Sequence, residues 1–249
     1  DRCFWLLNGA AEVLTITDNF FSWGVYEDVV NAGPNYYLRN YTAGSGEFLR
    51  IDVSGGSYTS VDGIDLANNL IFGYRYGIRL VSGTLNVSTI SANKFDAVST
   101  VLSGEGSAAL TNSLISSNII YSYKTGDTTT EFSSIIFTST AGTSDVTITG
   151  NDFAFTRGSH ITWNSLFSDD VHIVANRFVG WGQSTQAAIT PYFGVQITDA
   201  GVKGLIATNT FAPSTGSVAH QRVGVGAGGI LDVLITGNFF NSTYYGVWL

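Results

Sequence analysis

The sequence holds no methionine, one cysteine and three prolines in 249 residues. Cys3 has no internal partner, so the chain makes no disulfide of its own, and a lone terminal thiol does not report a redox compartment. Charge is scarce as well, at 12% of residues against the usual ~25%. What charge there is leans acidic, with 19 acidic against 11 basic residues and a pI near 4.6. No basic stripe is available to neutralise phosphates and release counterions, which excludes nucleic acid as the expected partner. No apolar run reaches about 18 residues and the start lacks the charged head and apolar middle of a signal peptide, so membrane insertion is not expected. The missing methionine, the opening DRCFWLL and the closing GVWL, which is similar to the internal GIRL at 77–80, lead us to expect a piece cut inside a repeating unit.

What is present points to a packed chain. Hydrophobic residues make up 44% and glycines number 29, a composition that buries a core rather than staying disordered. The chain writes VTITGNDF at 146–153 and VLITGNFF at 233–240. The shared pattern is an apolar residue, two small ones, Asn, any residue, then a large apolar one. It occurs at Ile16/Asn19/Phe21, Leu66/Asn69/Ile71, Ile90/Asn93/Phe95, Ile115/Asn118/Ile120, Ile148/Asn151/Phe153, Ile173/Asn176/Phe178, Ile206/Asn209/Phe211 and Ile235/Asn238/Phe240.

Successive asparagines lie 50, 24, 25, 33, 25, 33 and 29 residues apart, and the first gap has room for a degenerate copy at Tyr37/Asn40/Thr42. The unit is therefore about 25 residues with insertions, repeated about nine times over a single domain spanning 1–249. Apolar residues alternate on either side of each asparagine, which predicts short strands. Asparagine itself tolerates the left-handed backbone, so it is expected to form the bend between two strands, and its amide can join a ladder along a stack. A looser signal follows each bend: Gly24/Val25, Gly77/Ile78, Gly194/Val195, Gly224/Val225 and Gly246/Val247 each open another alternating run. Leucine-rich repeats share the strand and the asparagine but continue with regularly placed leucines, which this chain lacks.

The segments ITDNFF, ISANKF, ITGNDF, IVANRF and ITGNFF, together with GIRL-type strands, resemble right-handed parallel β-helix proteins of the pectate-lyase-like group, phage tailspikes among them. The resemblance implies an all-β, right-handed parallel β-helix. It also implies a tailspike-like protein, extracellular or on a virion surface, that binds and cleaves a bacterial surface polysaccharide. The alternatives are a non-catalytic structural or adhesive β-helix, and a secreted polysaccharide lyase or epimerase. Neither terminus carries an amphipathic capping helix, which leaves further domains or a homotrimeric neighbour to cover the end strands.

Chemistry is expected on the outward side chains of one long sheet. Counting alternation from the inward residues puts Tyr26, Asp28, Arg79, Ser99, His160, Thr162, Asn164, Gln196 and Arg222 outside. Glycoside hydrolysis needs two carboxyls about 5 to 9.5 Å apart, and rungs about 4.8 Å apart can supply them. The clustered candidates are Glu27 with Asp28 and Asp62 with Asp65, with Glu105 expected in a loop beyond. Asp145, Asp170 and Asp232 each sit six residues before a motif asparagine and are set aside as turn formers. A lyase instead needs a base and a cation beside a uronate, for which Arg157 and His160 in FTRGSHITW are the candidates. Tyr26, Arg79, Asn164, Gln196, Arg222 and Trp181 are the expected sugar-binding residues, the last by stacking. No calcium-repeat pattern or zinc spacing occurs, and no metal or cofactor is expected.

Overall fold

The computed structural model describes residues 2–7, 13–22, 46–53, 59–122, 133–156, 158–165, 168–182, 191–198, 201–213, 222–229, 231–241 and 243–249. Among these, every ladder pairing is parallel and no helix occurs. The chain winds as a parallel β-helix with three walls. The first wall stacks Arg2–Leu7, Glu47–Asp52, the leading parts of Tyr76–Asn86 and Thr100–Ser116, then Ile135–Phe137, Ile161–Trp163, Tyr192–Ile197, Arg222–Ala227 and Tyr245–Trp248. The second runs from Leu14–Thr17 to Leu231–Thr236. It joins the first because Tyr76–Asn86 and Thr100–Ser116 pass through both. The third is a separate sheet of eight short strands, from Phe20–Ser22 to Phe239–Phe240. The degenerate copy expected at Tyr37/Asn40/Thr42 lies outside the described residues, and Asn19 stacks directly on Asn69, so no rung stands between those two.

The repeated letters lie where the second wall turns into the third. In each step the backbone N–H and the side-chain Nδ2 of one asparagine both donate to Oδ1 of the next. Asn69 reaches Asn93 at 2.9 and 3.0 Å, Asn93 reaches Asn118 at 2.9 and 3.1 Å, and Asn118 reaches Asn151 at 2.9 Å twice. The same Nδ2 also donates backwards, as from Asn118 to the Ile90 carbonyl at 2.8 Å. Six of these asparagines, Asn69 to Asn209, are buried, and the ladder satisfies them.

The left-handed residue is not the asparagine but its predecessor. Asp18, Asn68, Ala92, Ser117, Gly150, Ala175, Thr208 and Gly237 all have φ between 53 and 64°. This corrects the expectation that asparagine was chosen for its backbone tolerance. A left-handed alanine or threonine costs roughly 1–2 kcal/mol, and the ladder holds it in place. Asparagine is required for its two-way amide.

Inside, the aromatic residue after each bend stacks on the next rung. Phe153, Phe178, Phe211 and Phe240 lie 4.8, 5.0 and 5.0 Å apart at 12–21°. Their rings explain the Gly-Val signal. A Cβ on Gly194 would come within 2.5 Å of Phe211, and one on Gly224 within 2.3 Å of Phe240. At this corner two successive residues both face inward, so the glycine makes room for the ring while Val195 or Val225 continues the buried wall.

Candidate functional site

The outer face of the first wall carries a column of register partners: Arg50, Arg79, Ser103, Ile136, Thr162, Gln196, Gly226 and Trp248. Its first half is ionic. Arg79 donates from Nε and Nη2 to both carboxylate oxygens of Glu105 at 3.1 and 3.0 Å, and from Nη1 to Glu47 at 2.6 Å. Arg50 bridges Glu47 at 3.3 Å and Asp52 at 3.2 Å. Ser103 and Ser82 donate to Glu105 and Asp52. Glu47 is fully buried, and the Arg79 guanidinium also lies 4.8 Å over the Tyr76 ring, a further favourable contact for a cation.

The ion pairs decide the protonation states. Burial works against the charge on Arg79, but its hydrogen bonds to Glu105 and Glu47 outweigh that and hold it above the ordinary arginine range. Burial likewise pushes Glu105 upward, and the bonds from Arg79 and Ser103 overcome it, leaving its pKa below the ordinary glutamate value. An ionised carboxylate clamped on both oxygens has no proton to give a leaving group, so Glu105 does not supply the general acid that glycoside hydrolysis requires.

The second half is neutral and hollowed. One hollow is lined by Ser133, Ile136, Thr162, Pro191, Tyr192 and Gln196. A second is lined by Phe193, Gln196, Thr198, Gly226, Gly228 and Trp248. Gln196 lines both, so the two adjoin across it. Ser133 Oγ and Thr162 Oγ1 lie 2.9 Å apart and share a hydrogen bond. The Phe193 ring covers Gly226, where a Cβ would approach it to 2.2 Å, and lies 6.1 Å from the Trp248 ring.

The expected site residues are dispersed. Tyr26, Glu27, Asp28 and Arg157 lie outside the described residues. Asp62 and Asp65 fall on the second wall, in Ser60–Asp62 and Ile64–Ala67, where Asp62 accepts from Asn86 at 3.0 Å. Arg79 and Gln196 do lie on the first wall's outer face, and Asn164 follows Ile161–Trp163, half-buried. Arg222 is 8% exposed, and burial lowers its pKa.

Three expectations are corrected. His160 occupies the inward corner that Gly194 takes in the next rung. It is fully buried, pairs with Ser134 Oγ at 3.2 Å and the Val179 carbonyl at 2.8 Å, and packs on Phe153 and Phe178. Burial pushes its pKa down to about 3. It is a neutral core residue, out of reach of a substrate on the outer face. Trp181 is also fully buried, with Nε1 bonded to the Tyr192 carbonyl at 3.0 Å, so it cannot stack on a sugar. Ser99, placed outside by the same counting, is buried too.

Sequence reasoning passed over Glu47, Arg50 and Asp52, and assigned Glu105 to a loop. Glu105 sits inside Thr100–Ser116 at a register shift between Gly104 and Ser107, a bulge of the kind that re-aims a side chain. The available signal was alignment of EFLRID at 47–52 with YGIRL at 76–80, which sets Arg50 on Arg79.

Among the described residues, no three His, Cys, Asp or Glu side chains gather to hold a metal ion. The walls and their ladder define the class: an all-β parallel β-helix. No family model and no curated protein matches the chain.

Proposed function

We propose that this protein is a tailspike-like β-helix, acting outside the cell or on a virion surface, that binds a bacterial surface polysaccharide along the outer face of its first wall. Binding, rather than cleavage, is the activity this face favours. The observation that carries the reading is the pair of hollows adjoining at Gln196. Hydroxyl and amide groups from Ser133, Thr162, Gln196 and Thr198 match the hydrogen-bonding pattern of sugar hydroxyls. Aromatic surface at Trp248 suits the apolar face of a pyranose ring. Rungs repeat at about 4.8 Å, so a chain laid along the axis meets a new set of donors and acceptors at each step.

Cleavage finds less support. Among the described residues, the acids that converge on this wall, Glu47, Asp52 and Glu105, are tied together through Arg50 and Arg79 rather than facing each other across an open gap. The test is incubation with capsular polysaccharide and lipopolysaccharide while following retention, new reducing ends and unsaturated-uronate absorbance. Retention without either product is expected. New reducing ends alone would make it a hydrolase, both products a lyase, and no retention would remove the glycan reading.

A further inference from the structure

The hollow at Ser133, Ile136, Thr162, Pro191, Tyr192 and Gln196 lies inside the stack, with further rungs of the first wall on both sides of it. Its polar groups both donate and accept. Ser133 and Thr162 share a hydrogen bond at 2.9 Å, which uses one of their two hydroxyl protons and leaves the other, with lone pairs, for a ligand. The half-buried Gln196 amide adds two donors and one acceptor. A sugar hydroxyl also donates and accepts, so it can satisfy every one of these groups. An ionised carboxylate only accepts, and would leave the Gln196 carbonyl and the hydroxyl lone pairs facing its charge.

Charge gives a second argument. Among the described residues, no lysine or arginine lines this hollow. Arg50 and Arg79, on the same wall, are already held by Glu47, Asp52 and Glu105. Arg222, the register partner of Tyr192, is 8% exposed. The rung next to Ile136 presents a negative charge instead: its Ser103 hydroxyl donates to Glu105, whose side chain is 37% exposed. The whole chain carries a formal net charge of -8.

We propose that the glycan held here is uncharged over the stretch that covers this hollow, built there of neutral sugars rather than uronates, sialates or phosphorylated units. The inference rests on the glycan reading above and narrows it. An anionic chain would give up its hydration without gaining a cation, a penalty that sugar hydroxyls meeting hydroxyl and amide groups do not carry.

Anion exchange divides capsular polysaccharide and lipopolysaccharide O-chains into neutral and acidic fractions, and affinity electrophoresis of the protein through each fraction is the test. The neutral fraction should retard the protein equally at about 20 and about 300 mM salt, because no ion pair is there to be screened. The acidic fraction should bind at least about tenfold more weakly. Gln196→Lys places a cation in the hollow. With unchanged circular dichroism, it should gain about tenfold for the acidic fraction at low salt and lose that gain at about 300 mM. Retention of the acidic fraction by the unaltered protein, equal to or above that of the neutral one, overturns this inference and leaves the glycan reading standing. So does a folded Gln196→Lys variant whose preference is unchanged. Retention by neither fraction removes the glycan reading, and this inference falls with it.

Discussion

The two halves of the first wall share one backbone register and differ in what they hang from it. From Glu47 to Glu105 the outer side chains spend their hydrogen bonds on one another, with Arg50 and Arg79 tying together three rungs. From Ser133 to Trp248 the same column turns neutral, drops its side chain at Gly226 and opens into hollows. The contrast teaches where binding can occur on a uniform scaffold. An ionic face whose side chains clamp one another stabilises the stack but offers little to a ligand, and a neutral, hollowed face does the reverse.

The largest effect should come from breaking the ionic half. Arg79→Leu removes the cation that holds the buried Glu47 carboxylate at 2.6 Å, at an expected cost of about 3 kcal/mol. Urea unfolding should show this, while glycan retention by the other half is unchanged. Lost retention with intact stability would mean that the two halves are not separate in function.

Acid should distinguish the halves next. His160 lies beneath the neutral half with a folded pKa near 3, below its ordinary 6.5, so the unfolded chain takes up a proton that the folded chain refuses. Its contribution is complete above pH 6.5 and falls as pH drops toward 3, by about 1.4 kcal/mol per unit. Glu105 belongs to the ionic half and its pKa is depressed. Its contribution is present above the ordinary glutamate value of 4.5 and is lost only as pH falls below that, through the lowered pKa. Between pH 6.5 and 5 the loss should be about 2 kcal/mol and should vanish in His160→Leu; a slope that survives this substitution assigns it to another group.

The smallest stability effects, and the clearest binding ones, should come from the neutral half. Trp248→Ala is expected to weaken retention about tenfold and Gln196→Ala a few-fold. Each should shift the unfolding midpoint little, because both side chains are partly exposed. Unchanged binding in both variants would move the site off these hollows.

The sequence carried the scaffold well because the scaffold repeats. Eight asparagines with an aromatic or aliphatic residue two places on left little choice of fold, and Asn69, Asn93, Asn118 and Asn151 do line up along one corner. Which residue bends was hidden, since alanine, serine and threonine give no sign that they hold a positive φ. The face was harder for a specific reason. Strand alternation predicts inside from outside only while the phase holds, and at the Gly-Val corner two neighbours point inward. Counting back from Ile161 across that corner put His160 outside. The Arg50, Arg79 and Glu105 group joins residues about 25 positions apart and needs the exact pairing of rungs, including the bulge at Glu105, before it can be seen.

The unequal spacing of the asparagines, from 24 to 50 residues, has a thermodynamic meaning. Closing a loop costs entropy that grows only with the logarithm of its length, about 0.6 kcal/mol for each doubling. The longest interval is thus only slightly dearer to close than the shortest, while one ladder bond left unmade in the buried corner would cost about 1–3 kcal/mol. Natural variation is therefore nearly free in the connections between rungs and heavily penalised at the corner, so new surface can be added to this helix without disturbing what aligns it.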